Sequence, residues 1–383
     1  MADAAAGAGG APSRMRLLRR YFLPSRTVLR YLARLFATRV LFVLFLILAV
    51  LQMLDLLSRS AEILAVPGNG SAEILRYVAW RLPDLFTRFA PFCVLLAAIV
   101  AFAELNQHSE IIVLKAGGMS PHRILLPFTL TAVAMALMHF WISDRITVPA
   151  RAALAYWQEA GYARDLPPRP ETVRDLALVD GRDLVFIARA SRSGSRVVLD
   201  GITIYERNAE GMLTAVTRAA FAWYEQGRWR LFEVRRFAAD TLDLSYADER
   251  PWRFSASPER LFALHVAADE TTLDALARAI GRRKAEGEPA ADLEAAFYHR
   301  FALSLSFVLM PLLAAIAGFG VHRRGQLVVR MAAGAALGFS YFVIDNFMLA
   351  MGEFGVVPAV LAAFSPLVLF LAVGLAVLFF TEE

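Results

Sequence analysis

Six runs of about twenty apolar residues constrain this chain more than any other feature. They lie at about 38–58, 83–103, 124–143, 299–320, 327–350 and 357–380, each the length that crosses a bilayer as a helix. An ordinary soluble domain is roughly 45–50% apolar, whereas 58% of these 383 residues are hydrophobic and the mean hydropathy is +0.50. The expected fold class is an α-helical integral membrane protein with six transmembrane helices in two groups of three.

Arginine sets the orientation. Arg14, Arg16, Arg19, Arg20, Arg26, Arg30, Arg34 and Arg39 crowd the start of the first run, and such clusters stay cytosolic. Alternating from there, the segment 104–123, the loop Val321–Gly325 and the C-terminal Thr381–Glu383 are all expected inside, with Lys115, Arg123, Arg323, Arg324 and Arg330 agreeing. The net charge of +5 is thereby explained by topology, and no nucleic-acid partner is expected. The start of the chain has no apolar h-region, so no cleavable signal is expected and the first run itself directs insertion. One cysteine, Cys93, excludes an intrachain disulfide.

Residues 144–298 separate the two groups and are expected outside the cytosol, dividing the chain into 1–143, 144–298 and 299–383. Up to about 265 the pattern alternates with period two, predicting an all-β insert of sandwich or jelly-roll type. Candidate strands are Asp183–Arg189, Arg196–Leu199, Gly201–Glu206, Phe221–Tyr224 and Trp229–Val234, the last two joined by a tight turn at Glu225–Gly227. Thr271–Asp274 predicts a helix start, Gly287–Pro289 a break, and a further helix from near Ala290 leads into the fourth span.

Between the second and third spans lies a polar interruption, Glu104–Arg123, that a bilayer does not require. Ser109 is suited to cap a helix N-terminus, Glu110 then sits in a first turn that favours an anion, and Gly117 and Gly118 supply a stop. A helix of about two turns on the cytosolic face follows, as a transporter driven by a soluble motor would need. No phosphate-loop pattern occurs in the chain, so it is not itself the motor; no cofactor is expected to be bound by this chain, and ATP is expected to be used by a partner.

The run Ser109-Glu-Ile-Ile-Val-Leu-Lys-Ala-Gly-Gly-Met119 resembles the signature loop of the lipopolysaccharide export permeases LptF and LptG, and the three-span, β-insert, three-span order is similar across nearly the whole chain. Leu337–Asn346 is similar to the G-type subunit, which has an aspartate at the place of Asp345. The resemblance implies an ABC exporter of lipopolysaccharide in the inner membrane. This chain would pair with an LptF-like permease on a cytosolic LptB-like ATPase dimer, and hand the lipid through a periplasmic jellyroll to LptC-like and LptA-like bridge proteins. Ser109 and Glu110 would lie in the helix that seats on the ATPase, with Glu104 and His108 beside it.

Other residues admit two readings each. Glu110 is either a docking acid or a solvated one favoured by the helix start. Arg300 at the outer start of the fourth span either grips a headgroup phosphate or anchors the interface. Arg59 resembles a family basic position. G-type subunits often have a lysine three residues before an aspartate in the first span, whereas here Gln52 precedes Asp55, so charge recognition would be redistributed to Arg59, Arg81 or Arg88. Arg81 and Asp84 can instead form a local pair, and Asp345 a contact between helices. His139 and Asp144 match the His-x-x-x-x-Asp pattern of glycerolipid acyltransferases, but at the outer end of a span they lack the context such chemistry needs. An F-type sibling subunit and a membrane-anchored acyltransferase are the alternatives.

Overall fold

The computed structural model describes residues 25–164, 171–193, 196–225, 227–239, 241–258, 261–262, 267–285, 287, 289–318 and 326–380. Arg14 to Arg20, Gln226, Glu288, the loop 321–325 and the C-terminal 381–383 lie outside the described residues. Among the described residues, six helices are long and apolar enough to cross a membrane: Arg26–Leu64, Ser71–Gln107, Pro121–Glu159, Ala291–Ala315, Val328–Glu353 and Ala359–Ala376. Contacts divide the chain into a helical unit within Met1–Ala155 and Ala290–Glu383, and a second unit, Tyr156–Pro289.

In the helical unit the fourth span is central, packing on the second, third, fifth and sixth, while the first packs on the second and third. Cys93, Leu95, Phe102, Phe128, Leu313 and Tyr341 are among its fully buried residues. Close approach is built in at Gly338, where an added Cβ would lie 2.0 Å from a Leu95 methyl. The third span does not end at 143. Its helix passes through a π-helical turn, Ser143–Thr147, and continues over Val148–Glu159. The polar residues that look like a stop are accommodated, because Asp144 pairs with Arg300 and Thr147 turns inward to bond the second span.

Among its described residues the second unit holds six strands: β1 Glu171–Asp180, β2 Asp183–Ser193, β3 Arg196–Arg207, β4 Leu213–Glu225, β5 Arg228–Ala238 and β6 Asp243–Trp252. They pair antiparallel in sequential order, and among the described residues they form one sheet rather than the two of a sandwich. Every ladder skips a position near its middle, and these positions line up across the sheet: Asp175, Ala188, Gly201, Ala220, Glu233 and Asp248. Buried positions change parity at this line, from 197 and 199 to 202 and 204 in β3, and from 229 and 231 to 234 in β5. The sheet is therefore creased along one transverse line while the same face stays apolar. Gly201, with φ +66°, fits the crease because a Cβ there would sit 2.9 Å from that of Ala188. The segments Arg196–Leu199 and Gly201–Glu206, read separately from sequence, are one strand bent at this glycine.

The core of this unit joins Val185, Ile187, Leu199, Ile202, Trp229 and Leu231 to Leu261 and Phe262. Glu206 on β3 accepts from Arg236 Nη2 at 2.7 Å and from the Thr217 hydroxyl at 2.7 Å. The Arg236 guanidinium holds the Glu206 carboxyl below the usual carboxylate range, against the burial that would raise it. A helix, Leu273–Ala285, follows the sheet at the place Thr271–Asp274 predicts, and the helix from Ala291 runs unbroken into the fourth span.

Candidate functional site

The first site is the corner after the second span. A seven-residue helix, Glu110–Ala116, follows directly, with Ile111 buried and Ile112 and Val113 exposed. Its end is a Schellman arrangement: Gly118 at φ +81°, the Met119 N–H bonded to the Leu114 carbonyl, and the Gly118 N–H to that of Lys115. Ser109 does not cap the helix as expected. A capping side chain reaches the first N–H groups from an extended backbone, whereas Ser109 is left-handed (φ 58°, ψ 16°) and contributes only its carbonyl, to Val113.

The expected acids of this corner are both held by the first span. Glu104 accepts two bonds from Arg39, from Nε and Nη2, each of 2.7 Å. Tyr31 Oη lies 2.9 Å from both Glu110 carboxylate oxygens. His108 Nδ1 rests 3.0 Å from the Glu104 carbonyl. Sequence reasoning missed Tyr31 and Arg39, because nothing local marks a pairing across 79 or 65 residues.

A second cluster joins the first, second and third spans. Asp84, 2% exposed, is bonded by Arg81 (2.9 Å), Arg88 (3.1 Å) and Arg151. Arg81 also reaches Asp55, which accepts the Tyr77 hydroxyl at 2.6 Å. The local Arg81–Asp84 pair thus exists, inside a network of three guanidinium groups and two carboxylates. Arg88 spends only Nε on Asp84, and its side chain is 57% exposed. Gln52, 8% exposed and three residues before Asp55, has neither amide atom hydrogen-bonded. Arg59 pairs with Glu62 at the surface and Arg300 with Asp144. The structure therefore brings Arg81 and Arg88 together on Asp84, whereas Arg59 and Arg300 each have their own acid.

Two further polar contacts tie spans together. Asp345 accepts from His299 at 2.9 Å, a helix-to-helix contact of the kind expected, while its neighbour Asn346 is exposed and donates to the Phe342 carbonyl rather than facing the bundle. His139 is buried between the rings of Phe86 and Phe307. Its Nε2 lies 3.1 Å from the Thr87 carbonyl and its Nδ1 2.9 Å from Ser304 Oγ. That carbonyl needs a donor because Pro91, four residues on, has no N–H. A carbonyl only accepts, so Nε2 carries the proton and Nδ1 receives the serine's. Both nitrogens of His139 are thus engaged away from Asp144, and the His-x-x-x-x-Asp spacing forms no dyad.

A sequence profile of the lipopolysaccharide export system permeases LptF/LptG matches residues 30–379. The chain belongs to the LptF/LptG family. LptG of Escherichia coli strain K12 is 25% identical over 363 residues, covering 90% of this chain and 96% of that protein. LptG of Haemophilus influenzae is 23% identical over 318 residues, covering 79% of this chain and 86% of that protein. As a family member, the chain is a multi-pass membrane permease of lipopolysaccharide export, and both the corner helix and the arginine network fall within the matched residues.

Proposed function

We propose that this chain is the G-type subunit of an exporter that lifts lipopolysaccharide from the outer leaflet of the inner membrane and passes it to a periplasmic bridge. The observation that carries the reading is the corner helix: seven residues between two spans, anchored by Ile111, with Ile112 and Val113 exposed and Glu110 at its start. This is a shape for receiving a push from a soluble partner. An LptB-like ATPase dimer supplies it, an LptF-like permease completes the membrane pair, and LptC-like and LptA-like proteins receive the lipid. Choice of the G-type is supported by relatives that carry the LptG name.

In this topology the corner helix and both chain ends are cytosolic and the β unit, the counterpart of the family's jellyroll domain, is periplasmic. The chain's own role is non-catalytic. Arg88, with its guanidinium largely outside the Asp84 pair, is the foremost contact for a lipid phosphate; Asp84, itself bonded by Arg81, holds its Nε in place. Arg59 and Arg300 are each already paired with an acid, Glu62 and Asp144, and Gln52 offers an unspent amide to a sugar or phosphate. Affinity purification of the chain in mild detergent tests the reading. A homologous six-span subunit and a soluble ATPase should accompany it, and recovery of neither would sink it.

A further inference from the structure

Docking by Glu110 leaves two contacts of the corner unused. The first span is a single helix of 39 residues, which at 1.5 Å per residue is about 58 Å long, roughly twice the hydrocarbon core. Tyr31 and Arg39 lie about 12 Å apart along it. Arg39 grips Glu104 in the last turn of the second span, and Tyr31 touches Glu110 in the first turn of the corner helix. Between those two acids the chain reverses through Ser109 in its left-handed conformation, a costly state for a residue with a side chain. The first span therefore brackets the joint from both sides.

A push on Glu110–Ala116 has two ways into the membrane unit. One is the backbone through Ser109, whose distortion would absorb it. The other is the pair of side-chain links. The first span is placed to respond, since among the described residues its main packing is on the second and third spans, and it presents Leu41, Phe42, Phe45, Met53 and Leu57 outward. The Tyr31 link is also compatible with docking. A carboxylate offers about four acceptor sites and one phenolic proton fills one, so Glu110 can hold Tyr31 and a partner's cation together.

We infer that Tyr31 and Arg39 are positioning residues that tie the first span to the corner helix, so that displacement of the helix by its partner moves the first span. This rests on the reading that the helix seats on an ATPase. The test uses the assembled complex in proteoliposomes, with release of fluorescently labelled lipopolysaccharide to an acceptor measured per ATP hydrolysed. Tyr31→Phe keeps the ring and removes one proton, and Arg39→Gln removes the guanidinium fork. Both should retain the ATPase at wild-type stoichiometry and wild-type lipid-free hydrolysis, with release per ATP down about fivefold for Tyr31→Phe, the scale of one lost hydrogen bond, and by more for Arg39→Gln, which loses a two-bond ion pair. The swapped pair Arg39→Glu with Glu104→Arg should recover most of the loss. Unchanged release per ATP in both single variants overturns the inference, as does loss of the ATPase from Tyr31→Phe, which would make the contact part of docking. Failure of the docking reading looks different: Glu110→Lys would then bind the ATPase and transport normally.

Discussion

Pro91 shows how one missing N–H propagates. It leaves the Thr87 carbonyl without its helical donor deep in the bundle, and His139, fixed by Ser304, supplies the replacement. Three spans are joined at one imidazole. His139→Ala should strip partners from two buried polar groups at roughly 1–3 kcal/mol each, visible as a lower thermal midpoint of the full chain in detergent. Lipid release per folded molecule should change little. A variant of normal stability that had lost an acyl-transfer activity would restore the enzymatic alternative. Spacing alone made His139 and Asp144 look like a catalytic pair, because a sequence does not display which carbonyl a proline has orphaned 52 residues upstream. By contrast, the Arg81–Asp84 pair was legible, being one helical turn apart. Its extension to Asp55 and Arg151 depends on how three spans meet, and no local pattern encodes that.

At the scale of the element, the crease in the sheet explains both what the period-two pattern revealed and where it broke. Alternation is clear on each side of the line and shifts by one residue at it, so a reading of β3 finds two short strands instead of one long strand. Strand β6 was not legible, since its residues 243–251 are exposed throughout and show no apolar alternation. Gly201→Val tests the crease. A branched side chain in the left-handed region costs roughly 1–3 kcal/mol before its contact with Ala188 is counted, so the midpoint for unfolding of the β unit, read by tryptophan fluorescence, should drop. Gly70→Ala, at φ −152° and with open space around the new methyl, should leave it unchanged. An equal midpoint for Gly201→Val and wild type would mean that the sheet bends without needing glycine there. The corner helix was visible from its glycine stop, whereas its fastening to Tyr31 and Arg39 was not.

For the whole molecule, six apolar helices among the described residues, the fourth of them central, make a membrane unit, and a creased antiparallel sheet makes a second unit. Hydropathy fixes the spans because a bilayer demands apolar length, although their ends run past the apolar runs wherever charges find partners, as Asp144 does in Arg300. Family membership gives lipopolysaccharide export as the process. We propose that export is driven by force entering at the corner helix from a separate ATPase. Its most direct measurement is ATP-dependent release of lipopolysaccharide from proteoliposomes containing the assembled complex, comparing wild type with Glu110→Lys. Wild type should sustain release and the variant should lose at least about tenfold, the scale of a charge-assisted contact, while the β unit stays folded. Release at the wild-type rate from Glu110→Lys would contradict it.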